Sequence, residues 1–228
     1  MTPEISVIIP VHNGEKYLAE CIQSVLDQNH AALEIMLMDN HSTDASADIA
    51  RSFPTVNYFY LAEKGLVNAL NYGVEQSNGE YLSFLDADDL WKPDKLKTQL
   101  DVFQKDPEVD LVFGHVEQFV SPELEEPLKS KLQIRDKELP GYYRGTLLVK
   151  RDSYWRAGAF DAATDYGDFI DWYMRAQEQG LKEVMLADVL VMRRIHGANM
   201  GYTDTSRRID FVRVLKRGLD RRRRLGKV

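Results

Sequence analysis

Residues 80–89 read EYLSFLDADD, an apolar run that leads directly into three carboxylates. Its large apolar side chains favour a packed β-strand, and Asn78-Gly79 just before it is typical of a turn. Because alternate residues of an extended chain share one side, Asp86 and Asp88 should point the same way. Their oxygens would suit Mg²⁺ or Mn²⁺ bridged to a phosphate group, whereas an isolated Asp-x-Asp also fits a solvated acidic turn that caps the next helix.

The composition indicates an ordinary acidic globular protein. The 228 residues are 44% hydrophobic and carry a net charge of -7, which allows one packed domain and argues against nucleic acid as a partner. A single cysteine excludes an intrachain disulfide and a cysteine-based zinc site, and it fits a reducing compartment. Because no stretch reads as a membrane span or a signal peptide, we expect a cytoplasmic protein.

Strand and helix patterns alternate through the first half of the chain. Four apolar runs predict strands, at residues 5–10, 33–38, 56–61 and 81–85. Amphipathic helices follow the first three, and the stripe of the first helix includes Cys21, which we expect in the core. This alternation predicts an α/β fold with a mostly parallel, Rossmann-like sheet. In such sheets ligands bind beyond the carboxyl ends of the strands. Asn13, Asp39 and the acidic stretch at residues 86–89 all follow predicted strands, so we expect them at this place.

The second half of the chain has a mixed pattern. Helices are predicted from Pro93 to about Lys105 and over 165–179, and strands over 109–119, 145–149 and 184–193. Residues 121–140 are polar and charged, which favours a mobile loop. A final helix over about 205–224 combines a basic face with an apolar face that we expect to pack on the domain. That apolar face consists of Ile209, Val212, Leu215 and Leu219.

Four stretches together resemble the family 2 glycosyltransferases of the GT-A fold. In chain order they are 7–13 (VIIPVHN), 39–44 (DNHSTD), 65–73 and 86–89 (DADD). The resemblance implies transfer of a sugar from a nucleotide diphosphate donor, with a UDP-sugar as the expected donor. It also implies assistance by Mn²⁺ or Mg²⁺ and, in most members, inversion at the anomeric carbon.

The same resemblance implies how one domain over 1–228 is divided. We expect a nucleotide-sugar-binding half over about 1–105 and a smaller, mixed acceptor and catalytic half over about 106–204. The basic C-terminal helix then occupies about 205–228. In the second part, Tyr142, Tyr143 and Arg144 are expected to line the acceptor side.

The matched motifs also indicate which residues bind the nucleotide-sugar donor. Asn13 lies in the family's nucleotide-contacting first loop, although it could instead cap the helix that follows. Asp39 matches the carboxylate that accepts a hydrogen bond from the base, a role that suits a group that only accepts. The full set expected to bind the nucleotide-sugar is Pro10, Val11, Asn13, Asp39, Asp86, Ala87 and Arg194.

Asp88 and His196 are the expected metal ligands. Asp88 takes the role of direct ligand within the acidic stretch. His196 follows a predicted strand and resembles the family's late histidine that reaches back to the metal or the diphosphate. A lone histidine also fits a structural or surface role, so that alternative stays open. A metal at this place would neutralise the diphosphate as it leaves.

Inversion needs a general base that takes the proton of the acceptor hydroxyl. The family places this base near the start of a late helix, in an acidic pair, and this chain offers DYGDFIDWYMR over 165–175. Phe169 stands where a second acid is common, so Asp168 is the first choice and Asp171 the second. Both lie on one helix face. Alternatively, Asp165 could cap this helix while Asp168 only favours its positive end, and Asp171 could pair with Arg175.

Two other functions remain open at this point. A sugar nucleotidyltransferase would share the chemistry, but it would need a basic Gly-rich loop where residues 11–15 read VHNGE. A sugar-nucleotide-binding scaffold without turnover would not need clustered carboxylates. The acceptor could be a glycan, a lipid-linked molecule or a protein. The basic C-terminal helix predicts either a solvated face or a peripheral contact with anionic lipid at the inner membrane face.

Overall fold

The computed structural model describes residues 4–28, 33–124, 138–164, 167–197 and 208–224, together with Gly226. The strands are β1 Ile5–Val11, β2 Leu33–Asp39, β3 Val56–Tyr60, β4 Tyr81–Phe84, β5 Leu90–Trp91, β6 Leu111–Val120, β7 Glu138–Pro140, β8 Leu148–Lys150 and β9 Glu183–Ile195. The helices are α1 Leu18–Leu26, α2 Ser46–Arg51, α3 Leu66–Gln76, α4 Lys95–Lys105, α5 Arg151–Ala157, α6 Asp168–Glu178 and α7 Arg208–Arg224. Within these segments, no helix has both the length and the apolar character needed to cross a bilayer.

One twisted path of strands runs through the molecule in the order β3-β2-β1-β4-β8-β6-β9-β5, with β7 paired to β6. The first four strands of this path are parallel, as the alternating pattern predicted. Beyond β4 the sheet is mixed, because β8 runs antiparallel to both β4 and β6 while β6 and β9 are parallel. The predicted α/β class, with a Rossmann-like half and a mixed half, is confirmed.

The central strand β1 is buried on both faces. Its side chains alternate between two clusters, so that Val7 and Ile9 pack with Cys21 of α1 while Ile8 packs with Leu70 of α3. Each of these side chains is fully buried, and burial of one such side chain stabilises the fold by about 1.5–3 kcal/mol. Cys21 is therefore a core residue, as predicted. Burial, followed by the charge of Asp89, raises the pKa of its thiol well above the ordinary value.

A buried polar network connects α4, β4 and the segment before β8. Lys95 is fully buried, and its ammonium donates to Gln99 Oε1 at 2.7 Å and to Ser83 Oγ at 3.1 Å. Gln99 Nε2 donates to the Thr146 carbonyl at 2.8 Å, and Ser83 Oγ donates to the Leu147 carbonyl at 2.6 Å. Burial lowers the pKa of Lys95 well below its ordinary value. The network holds residues 144–147 against the end of β4.

Two predictions about local structure need correction. The single strand predicted over 145–149 is instead a 3₁₀ turn at Arg144–Thr146 followed by β8, because the carbonyls of the turn are taken up by the buried network. Of the predicted loop over 121–140, residues 125–137 lie outside the described residues, while 138–140 form β7 against β6.

The orientation predicted for the C-terminal helix is also wrong. Val212, Leu215 and Leu219 of α7 are 65%, 50% and 46% exposed, whereas Val214 is fully buried. The helix turns its other side to the domain because a Cβ at Gly218 would lie 1.9 Å from Met174 Cε, so α6 and α7 approach closely there. Two arginines of α7 also pair inward with acidic groups. The side chain of Ile209 lies outside the described part of the chain.

Candidate active site

The loops that follow β1 and β2 are joined at one edge of the sheet. The Asn40 amide donates to the Val11 carbonyl at 2.7 Å, and the Asn13 amide donates to Ser42 Oγ at 3.0 Å. In return, the Thr43 amide donates to Asn13 Oδ1 at 2.8 Å. Asn13 adopts a left-handed φ of 53°, a conformation that asparagine tolerates better than most residues. Asn13 therefore organises this edge, and its contact with a nucleotide stays a prediction.

Three other predicted donor residues lie at the base of the same edge. Pro10 and Val11 are the last residues of β1, and both are buried. Ala87 is half-buried beside Gly14, where a Cβ would lie 3.6 Å from the Ala87 Cβ. These residues shape the floor of the edge, so any contact that they make with a ligand would use mainly backbone atoms.

Asp39 ends β2 with a carboxylate that is almost completely buried, at 1% exposure. Its Oδ1 accepts a hydrogen bond from the Ser42 amide at 2.8 Å, and its Oδ2 accepts one from the Tyr58 hydroxyl at 2.8 Å. Burial and then the interaction with Asp39 raise the pKa of Tyr58 to about 12, so the phenol remains a donor. A carboxylate has about four lone-pair sites, so these two accepted hydrogen bonds leave further sites for a ligand.

The first two carboxylates of the acidic stretch have different partners. Asp86 Oδ1 accepts a hydrogen bond from Arg144 Nε at 3.0 Å, and Arg144 Nη2 forms an ion pair with the same oxygen at 3.0 Å. Asp88 Oδ2 lies 2.9 Å from His196 Nε2. The imidazole of His196 also contacts the ring of Tyr17, with 4.9 Å between the centroids. The structure thus brings His196 to the acidic stretch, as predicted.

Arg194 lies beneath this stretch and is 4% exposed. Its amide donates to Asp89 Oδ1 at 2.8 Å, and its Nε donates to the Asp88 carbonyl at 3.0 Å. Its Nη2 pairs with Glu20 at 2.5 Å, and its guanidinium lies 4.5 Å from the Tyr17 ring centroid. These contacts hold the acidic stretch against the end of β9. A contact between Arg194 and the diphosphate stays a prediction.

The groups around Asp88 suit a hard divalent cation. Burial, followed by the charges of Asp88 and Asp86, raises the pKa of Asp89 well above its ordinary value, as expected where negative charge accumulates. The Asp88 side chain is 31% exposed, so its oxygens can reach a ligand. Among the residues that the structure describes, no three His, Cys, Asp or Glu side chains surround a common point. A metal bound by Asp88 and His196 stays a prediction.

Asp168 is the first residue of α6. Gly167 precedes it with a left-handed φ of 87°, a conformation that favours glycine, and no side-chain hydrogen bond caps this helix. Asp168 is 6% exposed, and its Oδ2 accepts a hydrogen bond from Arg144 Nη1 at 3.1 Å. Asp165, the alternative cap, lies outside the described residues. Asp168 therefore shares one arginine with Asp86.

Asp171, the second candidate base, lies between two helices and is 2% exposed. Arg175 Nε donates to its Oδ2 at 2.9 Å, and Arg221 Nη1 of α7 donates to its Oδ1 at 2.8 Å. Burial would raise the pKa of Asp171, but the hydrogen bonds from Arg221 and Arg175 outweigh it, and the pKa lies below the ordinary value. Asp171 thus connects α6 to α7, and its predicted pairing with Arg175 is observed.

Arg144 was expected to line the acceptor side, but its contacts with Asp86 and Asp168 were not predicted from the sequence. Its side chain is only 12% exposed. Burial would lower its pKa, but the charges of Asp86 and Asp168 raise it, so the guanidinium stays charged. A lone arginine after two tyrosines forms no recognisable motif, and only the pairing of β8 with β4 places it here. Glu20 and Tyr58 were missed for the same reason, since their partners are set by the fold.

Comparison with known proteins identifies the family. Residues 6–166 match Glycosyl transferase family 2. The chain is 32% identical over 211 residues to an uncharacterized glycosyltransferase of Rickettsia typhi, covering 86% of this chain and 65% of that protein. It is 34% identical over 120 residues to the glycosyltransferase GlyG of Streptococcus pneumoniae, covering 50% of this chain and 40% of that protein. The chain thus spans less than two thirds of the length of these relatives.

Solved structures show the same architecture. TarS 1–349 of S. aureus in complex with UDP-GlcNAc superposes with a TM-score of 0.75 at 18% identity, covering 96% of this chain and 65% of that one. The mannosyltransferase PcManGT of Pyrobaculum calidifontis, in complex with GDP-Man and Mn²⁺, superposes with a TM-score of 0.68 at 22% identity, covering 98% and 65%. Because the family match extends over more than half of its residues, this chain belongs to glycosyltransferase family 2, and its fold is of the GT-A type.

Proposed function

We propose that this chain transfers a sugar from a UDP-sugar to a hydroxyl group of an acceptor, with inversion at the anomeric carbon. The observation that carries the proposal is the position of Arg144, which contacts Asp86 at 3.0 Å and Asp168 at 3.1 Å. One guanidinium thus joins the acidic stretch at the donor edge to the candidate base on α6. A fold that only bound a nucleotide-sugar would not need a buried carboxylate at this second position.

Recognition of the base is assigned to Asp39. Its carboxylate is held by Ser42 and Tyr58, and it retains lone pairs that suit the N3–H of uracil. The TarS complex contains UDP-GlcNAc and the PcManGT complex contains GDP-Man, so proteins of this fold take different bases. A carboxylate can also accept a hydrogen bond from guanine, so the uridine assignment for this chain rests on the family motif that Asp39 matches.

Asp88 and His196 are assigned to a divalent metal, Mn²⁺ or Mg²⁺. When bound there, the ion would neutralise the negative charge that develops on the diphosphate. The Mn²⁺ in the PcManGT complex supports this assignment. Asp86 is paired with Arg144, and we assign it to the ribose of the donor.

Asp168 is assigned as the general base. As the acceptor oxygen bonds to the anomeric carbon, its proton passes to Asp168 and the bond from that carbon to the diphosphate oxygen breaks. We assign the proton to Oδ1, because Oδ2 accepts the hydrogen bond from Arg144. Asp171 suits this role less well, because two guanidinium groups bind its oxygens and lower its pKa.

The deciding experiment measures nucleotide release from a panel of UDP- and GDP-sugars, with Mn²⁺ or with a chelator. We expect release of UDP that depends on the metal and falls about a hundredfold in Asp88→Asn. The matched control is Asp48→Asn, because the Asp48 side chain is 90% exposed on α2. Absence of metal-dependent release from every donor would overturn the proposal. Pyrophosphate release from a nucleoside triphosphate and a sugar phosphate would instead indicate a nucleotidyltransferase.

A further inference from the structure

The outward side of α7 carries a continuous apolar stripe. Phe211, Val212, Leu215 and Leu219 are 36%, 65%, 50% and 46% exposed. Residues separated by three, four or seven positions share one face of a helix, so these side chains adjoin one another. Apolar residues scattered singly over a surface need no explanation, but a contiguous patch marks a site of interaction.

Positive charge surrounds this stripe although the chain as a whole is acidic, with a net charge of -7. Lys216 lies four residues after Val212 and Arg223 lies four residues after Leu219, so each is a surface neighbour of the stripe. Both are exposed, as are Arg213 and Arg224. Lys216 and Arg223 therefore flank the stripe, with Arg223 Nη1 3.9 Å from Asp220 Oδ1, whereas Arg213 and Arg224 lie farther round the helix.

The other arginines of α7 explain why this face points outward. Arg217 pairs with Asp161 at 2.9 Å, and Arg221 pairs with Asp171 at 2.8 Å and with Glu178 at 3.0 Å. These pairs attach the opposite side of the helix to the domain. The helix therefore has charged pairs toward the protein and apolar groups toward the outside, the reverse of a helix that serves only to cover a core.

We propose that this face of α7 docks on an anionic lipid surface. The stripe would enter the boundary between headgroups and acyl chains, while Lys216 and Arg223 would contact lipid phosphates. The combination of an apolar stripe with adjacent cations is complementary to such a surface, which is negatively charged above an apolar layer. The cytoplasmic leaflet of a membrane has this character.

The stripe begins beside the candidate base, which bears on the acceptor. A Cβ at Gly167 would lie 3.3 Å from Val214 Cγ2 and 3.5 Å from Phe211 Cδ1, and Gly167 directly precedes Asp168. A lipid surface on this face would lie next to the acceptor side of the site. If Asp168 acts as proposed above, the acceptor class is an amphiphile whose hydroxyl group is presented from that surface.

Sedimentation with vesicles tests the docking without any donor, metal or acceptor. The full chain is mixed with vesicles of phosphatidylcholine alone or with phosphatidylglycerol, at low and at high salt. We expect binding to the anionic vesicles that weakens with salt and little binding to the neutral ones. Absence of binding to anionic vesicles at low salt would overturn the proposal.

Two double variants separate the contributions of the stripe and the cations. Leu215→Gln with Leu219→Gln removes apolar surface from exposed positions and should lower the partition coefficient at least tenfold. Lys216→Gln with Arg223→Gln should lower it about fivefold per cation removed. The control is Trp155→Gln on α5, where a large apolar side chain is also exposed, at 43%, and binding should be unchanged.

The remaining outcomes are also decisive. If the leucine variant binds anionic vesicles as well as the unmodified chain does, the proposal is wrong. A concentration-dependent dimer that this variant abolishes, without vesicle binding, would assign the stripe to a second copy instead. Nucleotide release should be the same in all three variants, so its loss in every form of the chain would point to failure of the proposed activity and not of the docking.

Discussion

Asp39 at the donor edge and Asp171 on the acceptor side are held in different ways. At the donor edge, Asp39 accepts hydrogen bonds from a backbone amide and a phenol, which are neutral and belong to residues 3 and 19 positions away. On the acceptor side, Asp171 is held by guanidinium groups that lie 4 and 50 positions away. Neutral donors orient a carboxylate and leave its charge in place, whereas two guanidinium groups neutralise it.

This difference separates carboxylates that are available for chemistry from those that stabilise the fold. Asp39 and Asp88 are the carboxylates assigned above to the base and to the cation. Asp171, with two arginines of its own, is occupied in joining α6 to α7. Asp168 is intermediate, because the one arginine that it contacts is shared with Asp86. Asp168 is thus the acceptor-side carboxylate best placed to accept a proton.

Asp168→Asn should show the largest effect of the changes considered. The amide cannot take up the proton of the acceptor, and we expect the transfer rate to fall about 10³-fold, within the range for loss of a general base. Donor affinity should change little, because the donor contacts assigned to Asp39 and Asp88 remain. Parallel measurement of transfer rate and of donor binding by calorimetry checks both expectations.

Asp168→Glu is the matched control for this change, since it keeps the carboxylate and moves it by one methylene. We expect it to retain more transfer than the asparagine variant. Normal transfer by Asp168→Asn would remove this residue from the mechanism. Loss of donor binding in the same variant would show instead that Asp168 belongs to the donor site.

The first half of the fold was predictable because its signals are local. Each strand of the parallel half is a short apolar run, and burial on both faces of β1 is what makes such runs continuous. The direction in which α7 faces could not be predicted in this way. Its apolar stripe is regular, but the close approach at Gly218 and the pairing of Arg221 with Asp171 decide which side turns inward.

The same distinction applies to the site. Asn13, Asp39 and Asp88 each follow a predicted strand, so their common edge could be expected from strand order alone. Arg144 carries no such signal, because its contacts with Asp86 and Asp168 arise only when β8 pairs with β4 and the buried network fixes the preceding turn. Long-range charge pairing is therefore the part of this site that sequence patterns do not contain.

Asp171→Asn should affect stability more than catalysis. It leaves Arg175 without its anionic partner and leaves Arg221 with Glu178 alone, and we expect the free energy of unfolding to fall by about 3 kcal/mol, at the low end for a broken buried pair. The two arginine side chains are 19% and 28% exposed, which limits the loss. Chemical denaturation measures the change, and transfer per folded molecule should persist. An unchanged stability would show that these pairs are not important for the fold.

The pH dependence of stability sharpens this prediction. Because the pKa of Asp171 is lowered in the folded state, its contribution is present above the ordinary pKa of about 4 and is lost as pH falls through the lower folded value. Asp171→Asn should therefore lose less stability than the unmodified chain on acidification below about pH 4. Denaturation curves of both proteins between neutral and acidic pH give the comparison. Parallel losses would contradict the assigned ion pairs.

Tyr58→Phe tests the neutral hydrogen-bond donors that hold Asp39, and it should have the smallest effect. It removes one hydrogen bond to Asp39 and keeps the ring, so we expect the affinity for UDP to weaken by about 1 kcal/mol, roughly fivefold. Tyr60→Phe is the matched control, because Tyr60 is 53% exposed and its hydroxyl contacts His41 at 3.0 Å. Calorimetric titration with UDP measures both.

The two possible results for Tyr58→Phe have different meanings. If affinity falls modestly, the phenol orients Asp39, and a neutral donor is enough because the carboxylate must keep its charge for the base. If affinity does not change, the Ser42 amide alone orients Asp39 and the Tyr58 hydroxyl serves only the packing of β2 against β3. A loss as large as that expected for Asp168→Asn would mean that the donor edge, like the acceptor side, depends on one critical partner, and the contrast between the two regions would no longer hold.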